Sequence, residues 1–382
     1  MRIMIKKTGR LIFRLILPAV LFYLPLYAEV ANKTLADTLE KPKIKNISQA
    51  NDAGSIDVNT KDALGMTALM VAVDVNDKEA VSMLLSKGAD VNARDKHGKT
   101  ALMFVAKGSR SIAELLLSKG ADMNAKASNG KTALIDAASH GDKEITELLL
   151  SKGADIKAKD NSGKTALMFA ATNGSRETID LLLSKGAEIN AKDSEGKTAL
   201  MFAVFYDNKE AIELLLSKGA DIKAKDNSGK TALMFAATNG GKETMELFLS
   251  KGADINIKAN NGETALMIAV FHGNKEIIEL LLSKGAEINA KDSEGKTALM
   301  FAVFYIRKEI TELLLSKGAE INAKDNSGKT ALMFAAERHD KEITELLLSK
   351  GAEINAKANN GKSALMFAVF HGKKRNNRAA FI

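Results

Sequence analysis

The chain of 382 residues contains no cysteine. This absence excludes disulfides, thiolate catalysis, thiolate metal sites and a lipid-modified cysteine, so the fold must be stable through packing alone. Only three prolines are present, and none follows Pro42. Aromatic residues make up 5% of the chain. Aromatic side chains that recur at matched positions therefore call for an explanation, and the pairs Phe205-Tyr206 and Phe304-Tyr305 are such a case.

Residues 1–28 have the pattern of an export signal. An apolar run of 13 residues, Leu15 to Tyr27, precedes the small residue Ala28. It is too short for an ordinary membrane-spanning helix and contains two prolines. We expect a bacterial, exported chain, periplasmic or secreted, without membrane insertion after cleavage. An uncleaved anchor stays open as an alternative, because Leu26 is large for the third position before the cut. The basic start comprises Arg2, Lys6, Lys7, Arg10 and Arg14.

The net charge of +8 does not indicate a nucleic-acid partner once it is located along the chain. Five positive charges belong to residues 1–28, and four belong to the last ten residues, "KKRNNRAAFI". The stretch between them sums to about −1, and its basic and acidic residues alternate. Binding to a phosphate backbone needs clustered basic residues. We therefore expect no nucleic-acid partner.

The chain is built from one repeated unit of 33 residues, with a single step of 32. In the unit that begins at Thr165, this threonine is a natural N-cap for a short first helix. Gly174 interrupts that helix, and a second helix follows with apolar residues at helical spacing. Gly186 suits the left-handed position after it. The units begin at Thr67, Thr100, Thr132, Thr165, Thr198, Thr231, Thr264, Thr297, Thr330 and Ser363.

This unit resembles the ankyrin repeat in its period, its "D-x-x-G-x-T" turn and its second half, "LLLSKGADINA". The family's "TPLH" is replaced by "TALM", which removes a preorganised proline at the first helical position. The resemblance implies an all-α repeat solenoid, an ankyrin-type stack of helix pairs with hairpin-like turns. Residues 29–54 are predicted to be a polar linker, 55–372 the repeat domain and 373–382 a basic tail. The domain has nine full repeats and a tenth that lacks its second helix. This lack is either a truncation of the array or a functional end of the domain.

No constellation of residues predicts catalysis, a cofactor or a metal ion. "GKT" or "GKS" occurs eight times but lacks the glycine that a phosphate-binding loop needs five residues earlier, as at Ala158 before Gly163. His140, His272 and His371 share one place in units that are too far apart to converge on one ion. Lysines and aspartates form columns at equivalent turn positions, such as Lys159-Asp160 and Lys164, and we expect solvated ladders that also hold the turns. We therefore predict that the chain is not an enzyme.

In ankyrin-like stacks, the resemblance assigns partner contact to a concave surface made of turn tips and the ends of first helices. Those ends lie seven and eight residues after each initial Thr or Ser. Aromatic residues there could contact a partner, pack on the next repeat, or have been copied with a duplicated 99-residue block. We predict partner binding at Phe205, Tyr206, Phe271, His272, Phe304, Tyr305, Phe370 and His371.

The sequence thus predicts a monomeric, non-catalytic protein–protein interaction scaffold with a protein partner of unknown identity. Two alternatives stay open. One is a structural envelope spacer without a single tight partner. The other is an accessory subunit or inhibitor of a secreted or periplasmic enzyme.

Overall fold

The protein is described by a computed structural model over residues 57–105, 110–239 and 241–369. The predicted signal at 1–28, the linker at 29–54 and the basic tail at 373–382 lie outside these residues. Within them the fold is all-α, and extended pairing is limited to isolated bridges such as that between Lys159 and Thr165. Helix pairs stack in repeats, which confirms the predicted all-α ankyrin-type solenoid.

Each repeat contributes a first and a second helix. The first helices are α1 (Ala68–Asp74), α3 (Ala101–Phe104), α5 (Ala133–Ser139), α7 (Ala166–Asn173), α9 (Ala199–Phe205), α11 (Ala232–Asn239), α13 (Ala265–His272), α15 (Ala298–Phe304) and α17 (Ala331–Arg338). The second helices are α2 (Lys78–Ser86), α4 (Arg110–Ser118), α6 (Lys143–Ser151), α8 (Arg176–Ser184), α10 (Lys209–Ser217), α12 (Lys242–Ser250), α14 (Lys275–Ser283), α16 (Lys308–Ser316) and α18 (Lys341–Ser349). Residues 364–369 are also helical.

The helices begin and end at the residues that the sequence marks. The Thr165 hydroxyl accepts a hydrogen bond from the Met168 backbone N–H at 3.4 Å and so satisfies one of the free donors at the start of α7. Gly174 ends this helix with φ 79°, and Gly186 follows α8 with φ 89°. Both glycines occupy the left-handed region, where other residues are strained. The roles predicted for Thr165, Gly174 and Gly186 are confirmed.

The apolar core runs through the whole stack as one continuous cluster. Each first helix packs on the first helix of the next repeat, and most second helices pack on the next second helix. Within one repeat, Leu200 and Met201 of α9 and Leu215 of α10 are almost completely buried. Complete burial of one such side chain contributes about 1.5–3 kcal/mol. Because these helices also pack on the helices of neighbouring repeats, each repeat shares its core with its neighbours.

The turns between repeats are held by hydrogen bonds from two predicted columns. The Asp160 carboxylate accepts the backbone N–H groups of Ser162 at 2.9 Å and Lys164 at 2.8 Å, which fixes the turn. The Lys192 ammonium donates to the Lys225 carbonyl oxygen, one repeat on, at 2.7 Å. Equivalent bonds from a lysine or arginine link successive repeats from Lys61 to Lys357 at 2.8–3.3 Å. The resulting lysine ladder ties the repeats together along the turns.

Candidate functional site

Six of the predicted contact residues lie in the described part of the chain, where the first helices end. Tyr206 has 51% of its surface exposed, and Phe271 and Phe304 each have 38%. His272 is also exposed, whereas Phe205 and Tyr305 are half-buried. Exposure of this degree leaves room for a partner at four positions, while the other two also pack on their neighbours. Phe370 and His371 lie outside the described residues.

Four of these residues form a continuous surface across two adjacent repeats. The ring of Phe271 meets the ring of Tyr305 edge to face, with centroids 4.8 Å apart. Tyr305 also meets Phe304 at 5.1 Å, and Phe271 meets His272 at 4.9 Å. Edge-to-face contacts at these distances are favourable beyond the area they bury. We refer to Phe271, His272, Phe304 and Tyr305 as the aromatic ridge.

The pair Phe205-Tyr206 forms a separate surface. Its own rings are 5.2 Å apart, and Phe205 meets Phe235 of the next repeat at 6.3 Å. The repeat between this pair and the ridge presents Asn239, whose side-chain N–H donates to the Phe205 carbonyl oxygen at 3.2 Å. The structure therefore brings four of the six described residues together in the ridge and leaves two apart.

Burial and nearby charge shift the titration of two ridge residues. Burial lowers the pKa of His272, and the positive charges of Lys230 and Arg307 lower it further. Burial raises the pKa of the Tyr305 phenol, which therefore stays protonated at neutral pH. The exposed ridge is thus an uncharged, largely apolar surface at pH 7. Such a surface can bury area against a partner.

A row of lysines flanks the first helices and differs from the expected solvated ladder. These lysines stand immediately before most of the initial threonines and are half-buried. The ammonium groups of several lie over phenylalanine rings. The Lys131 Nζ is 4.1 Å from the centroid of Phe169, and the Lys164 Nζ is 4.8 Å from that of Phe202, in both cases one repeat on. Cation–π contact contributes about 0.5–1 kcal/mol at exposed sites. The recurring phenylalanines thus contact the lysines of the preceding repeat.

One repeat replaces that phenylalanine with a buried carboxylate, Asp136. Its oxygens lie 3.7 Å from the Lys99 Nζ and 3.8 Å from the Lys131 Nζ, and Oδ2 has no hydrogen-bond partner in the described residues. Burial lowers the pKa of Lys131, and the Asp136 charge opposes that shift. Sequence reasoning missed this site, although a break in the column of phenylalanines is a visible signal. The Asp160 charge also opposes the shift of the Lys131 pKa, and no group of three or more potential ligands in the described residues could hold a metal ion.

Sequence reasoning also missed two residues beside the ridge, Ile306 and Arg307. Ile306 adopts φ 58° at a place where three other described repeats have glycine, and it is 45% exposed. Arg307 occupies the N-cap of α16 without a side-chain cap bond. The signal was available as "YIRKE" in one copy against "YDNKE" in the other.

No helix in the described residues is both long enough and apolar enough to cross a membrane. The chain has no match among curated proteins. A family model described as ankyrin repeats (3 copies) matches residues 44–127, 123–193, 190–259, 233–325 and 322–377. Such repeats indicate a protein–protein interaction scaffold. Because the matches extend over most of the chain and agree with the stacked helix pairs, the chain belongs to the ankyrin repeat family.

Proposed function

We propose that the chain is a non-catalytic scaffold that binds a partner protein through the concave face of its solenoid. The observation that supports this most directly is the aromatic ridge, in which exposed rings of two adjacent repeats form one surface. Aromatic residues are over-represented at binding hot spots because they bury much area at a small entropic cost. The fold alone does not identify the partner, since one repeat surface serves many targets.

The ridge is distinguishable from the core by burial. Leu182 is fully buried, as are its equivalents, whereas Phe271 and Phe304 keep more than a third of their surface exposed. Truncating a fully buried leucine costs about 2–5 kcal/mol of unfolding free energy. Truncating the two phenylalanines should cost less, because part of each ring already contacts water. Loss of partner binding without a comparable loss of stability is the signature of a contact surface.

The test is capture of a partner by cross-linking, with the full chain as bait in extracts of its source. The variant Phe271→Ala with Phe304→Ala should lose the cross-linked partner and keep a cooperative thermal transition. Val75→Ala is the control, because Val75 is an exposed apolar residue at the end of another first helix, at the place that His272 and Tyr305 hold in their repeats, and has no aromatic neighbour among the described ring contacts. Equal capture by wild type and double variant would contradict the proposed surface. A fall in melting temperature as large as that of Leu182→Ala would assign the rings to the core.

Export is part of the same proposal and rests on residues 1–28 alone. Cleavage after Ala28 would release a chain that begins at Glu29. Mass spectrometry of the N-terminus from periplasmic and medium fractions should find that end. A mature protein that retains residue 1 in the cytoplasmic fraction would contradict export.

A further inference from the structure

Two consecutive residues beside the aromatic ridge, Ile306 and Arg307, differ from the residues at their places in most other repeats. Ile306 has φ 58°, in the left-handed region, where a β-branched side chain is an outlier. At this place the other described repeats that can be compared have Asn76, Gly141, Gly174, Asp207, Gly273 and His339. Glycine, asparagine and aspartate are the residues that tolerate this conformation best. The isoleucine therefore strains the backbone, and it gains little burial in return.

Arg307, the next residue, occupies the N-cap position of α16, but its side chain makes no cap hydrogen bond. In five other second helices this place is held by a side chain that accepts an N–H bond from the first turn. These residues are Asp77, Asp142, Ser175, Asn274 and Asp340. A guanidinium has no acceptor and cannot replace them. Its Nη2 instead donates to the Phe271 carbonyl oxygen at 3.4 Å, which brings the positive charge to the edge of the ridge.

A second arginine flanks the ridge on the other side. The Arg338 Cζ lies 5.0 Å from the centroid of Phe304. Both arginines are exposed, and neither forms an ion pair with a carboxylate of the described residues. Glu337, beside Arg338, is 2.8 Å from the Lys329 Nζ. Exposed apolar rings thus lie between two guanidinium groups whose carboxylate partners are not supplied by the described chain.

We propose that Ile306 and Arg307 are partner-contact residues, and that the ridge binds an acidic protein segment that carries apolar side chains. This inference rests on the proposed function and specifies its partner. Ile306, Phe304 and Phe271 would receive the apolar side chains, and the two arginines would bind carboxylates, for which the planar guanidinium is well suited.

A protein segment fits the surface better than a nucleic acid does. Phosphate backbones require many clustered cations, and the chain between residues 29 and 372 carries a net charge of about −1. Around the ridge, Lys230 and Lys296 add positive charge, but Glu263 stands where other repeats have lysine. The Lys296 ammonium is also paired with Glu294. The local excess of two arginines beside apolar rings is complementary to a short partner segment that carries both acidic and apolar side chains.

The chain contains its own matched comparison for this idea. The repeat that begins at Thr198 has the same first-helix sequence, "TALMFAVFY", and continues with Asp207-Asn208. The double variant Ile306→Asp with Arg307→Asn therefore installs a turn that the protein already uses. We expect it to unfold at an equal or higher urea concentration than the wild type while binding the partner less tightly. A purely structural role for the two residues predicts the opposite change in stability.

The binding probe is a fluorescein-labelled peptide of about ten residues with alternating glutamate and leucine, followed by fluorescence anisotropy on the full chain. We expect the double variant to bind it about tenfold more weakly, and added salt to weaken the wild-type complex. Lys143→Asp is the control for net charge, because it also lowers the net charge by two and Lys143 is exposed on a second helix away from the ridge, and it should bind as the wild type does. Peptides with lysine for glutamate, or serine for leucine, should bind weakly.

Several results would overturn the inference. In the first two, the glutamate–leucine peptide does not bind at all, or it binds the double variant as tightly as it binds the wild type. In a third, the lysine–leucine peptide binds as tightly as the glutamate–leucine peptide. In a fourth, a single-stranded RNA, oligouridylate, binds more tightly than the peptide, which would favour a nucleic-acid partner. If Phe271→Ala with Phe304→Ala still abolishes capture of the partner while Ile306→Asp with Arg307→Asn does not, the scaffold function stands and the acidic specificity fails.

Discussion

Ile306 shows how one residue can lower the stability of a repeat that is otherwise regular. A non-glycine residue in the left-handed region costs about 1–2 kcal/mol, and glycine recovers that energy at an entropic cost of about 0.5–1 kcal/mol. Ile306→Gly should therefore raise the free energy of unfolding by about 0.5–1 kcal/mol. Urea denaturation followed by circular dichroism measures the change.

The control for this prediction is Gly186→Ala. Gly186 has φ 89°, and a Cβ placed on it would meet no atom within 4 Å, so the substitution reports backbone strain without a steric clash. It should lower stability by about 1 kcal/mol. If Ile306→Gly lowers stability as well, the isoleucine side chain contributes packing that outweighs its strain.

His272 offers a titration that reports the position of Arg307. Burial, Lys230 and Arg307 all lower the pKa of the imidazole below its usual 6.5. The unfolded chain therefore takes up this proton first as pH falls, so the contribution to stability is complete above pH 6.5 and declines below it. Arg307→Asn should move the His272 pKa upward toward 6.5, as measured by NMR of the imidazole protons. An unchanged or lower value would place the Arg307 charge elsewhere.

Residues with local roles could be predicted from the sequence, and residues whose roles depend on the stack could not. Thr165, Gly174 and Gly186 act through backbone groups within a few positions, so their types alone indicate their roles. The contact between Phe271 and Tyr305 depends on how far one first helix is offset from the next, which no single unit specifies. Equivalent lysines likewise had a predictable position, but their contact with rings of the next repeat required the packed structure.

At the scale of the helix, Asp136 is the clearest departure from the repeated pattern in α5. Runs of three phenylalanines occupy the equivalent place elsewhere, at Phe169, Phe202 and Phe235 and again at Phe301, Phe334 and Phe367. The packing therefore accepts consecutive rings. Replacing a buried ion pair by a fitting apolar side chain is often stabilising by 1–4 kcal/mol, roughly.

Asp136→Phe should accordingly stabilise the chain by about 1 kcal/mol, since the ring also gives Lys99 and Lys131 a cation–π surface. Asp136→Ala is the matched comparison, because it removes the carboxylate without filling the space, and it should destabilise. Both are measured by urea denaturation. A loss of stability in Asp136→Phe would mean that the two lysines depend on the charge rather than on the ring.

The lysine ladder is the element that connects successive turns. Lys192→Met removes the charge-assisted bond to the Lys225 carbonyl, and the exposed oxygen can still bind water. We expect a loss of about 0.5–1.5 kcal/mol in unfolding free energy, the usual net contribution of one hydrogen bond. Lys223→Met, at an exposed turn position outside the ladder, should change stability much less. Equal effects of the two substitutions would show that the ladder bonds add nothing measurable.

The whole molecule is a stack in which each repeat contacts only its neighbours, so its stability is close to a sum over repeats and interfaces. Removal of one unit should therefore preserve the fold of the rest. The repeats share a period, so deletion of residues 165–197 joins Lys164 to Thr198 without altering the local sequence pattern. Deletion of residues 264–296 is equally conservative, because it joins Glu263 to Thr297.

These two deletions distinguish the effect of the number of repeats on partner binding from the effect of the aromatic ridge. Both should lower the unfolding midpoint by a similar amount, as measured by urea denaturation, because each removes one helix pair and one interface. Only deletion of 264–296 removes Phe271 and places Tyr305 beside the repeat that carries Asn239. We therefore expect partner capture to survive the first deletion and to fail after the second. Loss of capture in both deletions would mean that partner binding depends on the number of repeats rather than on the ridge. Retention of capture in both would place the partner contacts in other repeats.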